Sequence, residues 1–328
     1  MRRAIVLLAL LCVSGCSDDT PTSTAPPESG RFPGDVPNVV FLVAERFDAL
    51  DFEDEGTLGK HPGLARLVTE GSRFANAFAP TSSPQHAAFC LETGKRPGAG
   101  PLSADLLEAL GTSCRLMERE GAEFLDAVVA DERFFLRVFL NGTAAEQRSR
   151  LDVLLTALFA RLEEKGIAEN TLIVFTSGSA AVTDQPPLSD EALRVPLVFW
   201  SPGRIPVNEV RQQLVTHSDV PVTLLELLGA DVPETDGASF ASLIQKRRQS
   251  WRDYIVLEDA ADGEWKPMGR AFRTKNWKYV RRTSGTEVFY SVRNDPREQD
   301  DVMERPEFAQ FLESNRSRLA EWVAANAR

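Results

Sequence analysis

Asn38-Val-Val-Phe-Leu-Val-Ala44 decides the fold. The run is β-rich and lacks the alternation of apolar and polar residues that a half-solvated strand shows, so it suits a strand covered on both faces in a parallel sheet. Similar runs at 134–140, 171–177 and 195–200 predict further strands. Helical patterns lie between them. Thr143-Ala-Ala-Glu146 is a capping-box signature, and Leu151, Leu154, Leu155, Leu158, Phe159 and Leu162 then recur on one helical face until Gly166. Residues 220–228, closed by Gly229, read the same way. Strands alternating with helices make the main body an α/β layered domain.

Beyond about residue 245 the pattern changes to short strand-like pieces at 254–257, 269–274, 277–281 and 288–292. A final helix follows, with Phe308, Phe311, Leu312, Leu319, Trp322 and Val323 on its apolar side. The expectation is a small antiparallel sheet with a helix.

At 328 residues, 43% hydrophobic and 26% charged, the chain can bury a sizeable core. Its start differs from the rest: Arg2-Arg3, an apolar run from 4 to 13, then Val13-Ser14-Gly15-Cys16. That reads as a secretory signal ending in a lipobox, too short to span a bilayer permanently. It resembles the signal of bacterial lipoproteins, which implies cleavage before Cys16, lipids on Cys16 and a membrane anchor in the bacterial envelope; an ordinary cleaved signal is the alternative. Ser17 after the cysteine implies the outer membrane, with the body facing periplasm or exterior. The Ser/Thr/Pro/Asp/Gly-rich stretch 17–37 suits a disordered tether. The expected organisation is therefore signal 1–16, tether 17–37, α/β domain 38–244 and C-terminal α+β subdomain 245–328.

Export leaves Cys90 and Cys114, which form one disulfide or stand as two separately buried thiols; a bond would close a loop of about 25 residues, worth roughly 3 kcal/mol in the chain-entropy description. Loss of Arg2 and Arg3 with the signal would move the formal charge from −11 to −13, and no long basic run compensates, which disfavours nucleic acid as a partner. No dinucleotide, P-loop or zinc motif is present.

Six blocks in order from Pro37 to the C-terminus resemble the sulfatase family of the alkaline-phosphatase superfamily. They are 37–44, 61–77, 166–177, 194–203, 217–229, and the C-terminal set of 270–279 with 289–298. The resemblance implies a mostly parallel sheet with helices on both faces, a small C-terminal antiparallel sheet, hydrolysis of sulfuric esters, one divalent cation, usually calcium, and sulfated or anionic glycans or another envelope component as partners.

Carried over residue by residue, the family's site changes at several positions together. The two acids after the first strand correspond to Glu45-Arg46, and the later metal pair to Gly178-Ser179. Calcium takes six to eight oxygens, many of them anionic, so one carboxylate beside a guanidinium is a poor cage. The nucleophile position is Ser82 in Thr81-Ser-Ser-Pro-Gln-His86, with His86 where the family carries its supporting arginine, and Thr93-Gly-Lys95 stands for Thr-Gly-Arg. Ser82 or Ser83 with His86 as base would be a working hydroxyl–imidazole pair if they met. Alternatively, Ser83 caps a helix that starts at Pro84, with His86 on its first turn.

His61 begins a helix in this reading, and His217 starts another in a structural block. Arg46 could fill the cation's position by pairing with Glu45, Asp48 or Asp51, or it could point to solvent beside a loop of acids. Three functions follow, the first two being a degenerate envelope lipoprotein that has lost the metal site and serves in binding or assembly, and an ester hydrolase, sulfuric or phosphoric, with a site rebuilt around Ser82. No cofactor is expected in the first, and calcium only if the site is intact. A ligand-free structural lipoprotein is the third.

Overall fold

The computed structural model describes residues 32, 37–99, 115–120, 125, 128, 133–181, 185–245 and 250–326. The expected signal with Cys16, nearly all of the tether, and Cys114 lie outside the described residues. Phe32 qualifies the tether: it is buried in the main core and its N–H donates to Leu227 O at 3.2 Å, so this residue docks there.

The main sheet has seven strands in the order β3-β4-β1-β5-β6-β2-β7. These are β1 (Asn38–Arg46), β2 (Ser72–Phe78), β3 (Arg115–Glu120), β4 (Phe134–Leu140), β5 (Thr171–Ser179), β6 (Leu197–Trp200) and β7 (Glu209–Thr216). Strand β1 lies at the centre, parallel to both β4 and β5. Alternate residues of β1 feed opposite cores. Val39, Phe41 and Val43 join the cluster beneath helices α3 (Pro84–Thr93) and α6 (Asp219–Leu228), while Val40, Leu42 and Ala44 face α2 (Pro62–Glu70) and α4 (Ala144–Glu164). That double burial explains the unbroken apolar run, since each such side chain taken from water contributes ~1.5–3 kcal/mol.

Only β6 runs against its neighbours, antiparallel to both β5 and β2. The expected strand at 195–200 is therefore present but shorter and reversed. Strands β2, β3 and β7 were not legible: 61–77 reads as helix and turn, and β7 has a solvated first half that resembles a loop.

The predicted capping box opens α4, with Thr143 N–H donating to Glu146 Oε2 at 2.9 Å and Glu146 N–H to Thr143 Oγ1 at 3.3 Å. His61 starts α2 but supplies no side-chain cap. Asp152 of α4 does so instead, accepting from Gly63 N at 2.7 Å and Leu64 N at 3.2 Å. The two helices approach closely enough that a Cβ on Gly63 would sit 2.5 Å from Asp152 O.

The second sheet, β11-β10-β9-β8, is antiparallel throughout and comprises β8 (Tyr254–Asp259), β9 (Gly269–Thr274), β10 (Lys278–Arg282) and β11 (Glu287–Tyr290). Here alternation is strict. Ala271 and Val280 pack on Phe78, Leu188 and Leu214 of the main body, while Phe272 and Tyr279 pack on Leu312 and Leu319 of α8 (Ala309–Asn326). This docking carries Asp259 of β8 and the residues that follow it to the start of α3.

Candidate functional site

The ends of β1 and β5 meet as the resemblance implies. Arg46 and Ser179 are register partners, Ser179 Oγ donates to Glu45 O at 3.3 Å, and a Cβ on Gly178 would lie 3.3 Å from that same oxygen. The four positions therefore form one patch. Its chemistry does not fit calcium: Gly178 has no side chain, Ser179 spends its proton on a carbonyl, and Glu45 is half-exposed with the Arg46 guanidinium 4.0 Å away. Among the described residues no group of three or more His, Cys, Asp or Glu side chains could hold a metal ion.

Arg46 does not plug an acidic cage either. Asp51 pairs with Arg148, at 2.9 Å, and Asp48 caps a short 3-10 turn (Ala49–Phe52) by accepting from Leu50 N at 2.8 Å. Burial pushes the Asp51 carboxyl up, with the nearby Arg148 charge opposing that rise. Of the three expected carboxylates, only Glu45 meets Arg46, and 42% of the Arg46 side chain remains exposed.

At the start of α3, Ser83 is the N-cap and Pro84 the first residue. Three groups converge on Ser83 Oγ: His86 N at 3.3 Å, His86 Nδ1 at 2.8 Å and Asp262 Oδ1 at 2.5 Å. The hydroxyl has a single proton, and an ionised carboxylate can only accept. Ser83 therefore donates to Asp262, and His86 Nδ1 carries its own proton and donates to Ser83. In that arrangement the imidazole cannot take the Ser83 proton through Nδ1. Ser83 is also 1% exposed, so no substrate reaches it. The His86 ring lies against Trp265, centroids 4.8 Å apart.

Ser82 does not meet His86 in this network. Its hydroxyl donates to Asp259 Oδ1 at 2.7 Å, and Asp259 is held in turn by Arg282 Nη1 at 3.1 Å. Asp262 also accepts from Gln85 N at 3.3 Å, and Gln85 Oε1 accepts from Gly263 N at 3.1 Å. A carboxylate of the protein thus sits at the N-terminus of a ten-residue helix, where backbone N–H groups and the helix dipole favour an anion. Asp259, Asp262, Trp265 and Arg282 were missed by sequence reasoning, because they lie more than 170 residues from the serines and carry no local motif.

Behind the patch is His217, 1% exposed, whose two ring nitrogens have no hydrogen-bond partner. Burial drives its imidazole down to about 4, and the nearby backbone of Ala87 and Ser177 only partly offsets this. Cys90 is a buried free thiol pushed up by the same desolvation; Cys114, its candidate partner, lies outside the described residues.

The layered α/β architecture with a docked antiparallel sheet is an alkaline-phosphatase-like fold of the sulfatase type. Residues 178–325 match the family described as N-sulphoglucosamine sulphohydrolase, C-terminal. An ulvan-active sulfatase of Formosa agariphila is 25% identical over 199 residues, 50% of this chain and 40% of that protein. N-acetylglucosamine-6-sulfatase of Capra hircus is 30% identical over 138 residues, 38% of this chain and 24% of that protein. A solved structure of a protein in complex with its substrate, D-glucosamine-2-N,6-O-disulfate, superposes with a TM-score of 0.74 at 14% identity, covering 88% of this chain and 98% of that one. In its C-terminal half by sequence, and over most of its length by fold, the chain is similar to sulfatases. It spans two fifths or less of the length of these two sulfatase relatives.

Proposed function

We propose that this chain is a non-hydrolysing member of the sulfatase family that binds a sulfated or otherwise anionic glycan, carried in the bacterial envelope on lipids attached at Cys16. The observation that supports this most directly is Asp262, whose carboxylate occupies the anion seat at the N-terminus of α3 and takes the proton of Ser83. A sulfate ester approaching Ser82 would meet the carboxylates of Asp259 and Asp262, and the guanidinium of Arg282 is already paired with Asp259. Hydrolysis of such an ester needs stabilisation of the developing oxyanion, typically several kcal/mol when a metal supplies it. The donor set Glu45, Arg46, Gly178 and Ser179 lacks the oxygens to hold one. Binding is the function that survives, and the relatives' sulfated substrates motivate the choice of glycan.

The test is release of 4-nitrophenol from its sulfate and phosphate esters, with and without calcium, zinc or manganese, by the full chain, Ser82→Ala and Asp262→Ala. Absence of turnover in all three, with retention of a sulfated oligosaccharide by the unaltered chain, is the expected result. Metal-dependent turnover lost in Ser82→Ala would overturn it in favour of a rebuilt ester hydrolase. Neither turnover nor retention would leave a structural lipoprotein and also defeat the proposal.

A further inference from the structure

An open cavity of about 660 Å³ lies between the C-terminal sheet and the main body, on the side of the 3-10 turn. That turn's Phe52 packs with Val40 and Leu42, whereas α3 packs on the opposite face with Phe41 and Val43, so this cavity is not the space around Ser82. Five cationic side chains line it: Arg194, Arg273, Lys275, Arg293 and Arg297. For a chain of net charge −11, that concentration runs against the average.

Two of the five are already paired, Arg273 with Asp190 at 2.8 Å and Arg194 with Glu53 at 3.4 Å, so the free charge lies with the other three. Asp48 is committed to the 3-10 turn through Leu50 N. Both oxygens of Asp190 are engaged, one by Lys278 Nζ at 3.0 Å and the other by Arg273 Nε at 2.9 Å. Glu191 alone remains. Lys275, Arg293 and Arg297 are exposed and, among the described residues, have no carboxylate within 4.0 Å.

The cationic rim is also held in shape. Glu298, at a positive φ of 55°, ends the loop that carries Arg293 and Arg297, and its carboxylate accepts from fully buried Lys278 at 2.7 and 2.9 Å. Its Oε1 also accepts from Asp190 N at 3.0 Å. Arg293 N donates to Asn276 O at 3.4 Å, tying this loop to the turn that bears Lys275. A fixed rim loses less entropy on binding than loose side chains on loose backbone would.

We propose that this cavity binds a sulfated oligosaccharide, its sulfates paired with Arg293, Arg297 and Lys275 and its hydroxyls facing the amides of Asn76 and Gln212. Guanidinium groups suit sulfate because they can donate two parallel hydrogen bonds to it. Side-chain amides suit hydroxyls because they both donate and accept. Among the described residues no aromatic side chain lines the cavity to offer the stacking that a nucleotide base would use. The choice of glycan rests on the function proposed above; the location does not.

The test measures binding of a heparin-derived hexasaccharide by calorimetry in buffered 150 mM salt, with a desulfated hexasaccharide and a polyphosphate of similar charge as comparisons, and with free sulfate monitored throughout. The triple variant Lys275→Gln, Arg293→Gln, Arg297→Gln should lose about tenfold or more in affinity, since charge-assisted hydrogen bonds are lost. The control Lys60→Gln, Lys165→Gln, at exposed positions outside the cavity, should stay within about twofold, as expected of distant screened charges. Unchanged affinity in the triple variant, or no binding by the unaltered chain, overturns the site. Polyphosphate binding as tightly as the hexasaccharide overturns the sugar assignment. Release of sulfate from the hexasaccharide would defeat the non-hydrolysing reading while leaving the cavity as its binding site.

Discussion

His217 should make this protein lose stability as the medium turns acidic, and the amount can be worked out. The imidazole is buried, has no hydrogen-bond partner and is held at about 4, against 6.5 in an unfolded chain. Between those pH values the unfolded state binds a proton that the folded state refuses, so stability rises with pH across the window. It is fully present above about 6.5 and falls away as pH drops toward about 4. At roughly 1.4 kcal/mol per pH unit, the contribution of this one side chain is about 3 kcal/mol. Substitution His217→Leu keeps a similar volume and removes both unpaired nitrogens, so it should leave stability near neutral pH within about 1 kcal/mol. Urea unfolding of both proteins, followed by tryptophan fluorescence at several pH values from 4 to 7.5, gives the difference in stability as a function of pH. That difference cancels other titrating groups common to both chains. It should shift by about 3 kcal/mol toward the variant as pH falls. A difference that stays flat would refute the reasoning, because it would mean that His217 can accept its proton in the folded state.

Two other substitutions test the packing behind the cavity rim and between α2 and α4. Lys278→Met removes the cation between Asp190 and Glu298, both of which then face low-dielectric surroundings. Stability should fall by about 3–5 kcal/mol, with part of the loss regained on adding Glu298→Gln, and a loss below about 1 kcal/mol would show that water replaces the ammonium. Gly63→Ala forces a Cβ to within 2.5 Å of Asp152 O where α2 meets α4, so the helices must separate. A loss of about 1–3 kcal/mol in urea unfolding is expected, and a neutral result would mean that the helix pair slides without cost.

Much of the frame was legible because burial writes itself into local sequence. Residues 38–44, 134–140 and 171–177 lack alternation since helices cover both sides of their sheet, and the short strands of the small sheet likewise feed two cores, one on the main body and one under α8. The Thr143 box and the Ser83-Pro84 cap were legible for the same reason, as their partners lie three or four residues away. Strands β2 and β7 were hidden because their pairing partners, not their own composition, make them strands. The reversal of β6 was hidden too, since apolar content carries no direction.

The layered α/β frame, the exchanged residues at the ends of β1 and β5, and the capped start of α3 can all be read along the chain. What those residues meet depends on the folded arrangement. It brought Asp259 and Asp262 across more than 170 positions to the serines, gave Asp51 to Arg148 rather than Arg46, and gathered five cations around one cavity. The physical reason is range: caps and periodic faces are satisfied within a few residues, whereas the protonation of a serine, the fit of an ion and the charge of a cleft depend on groups that approach only when two sheets dock.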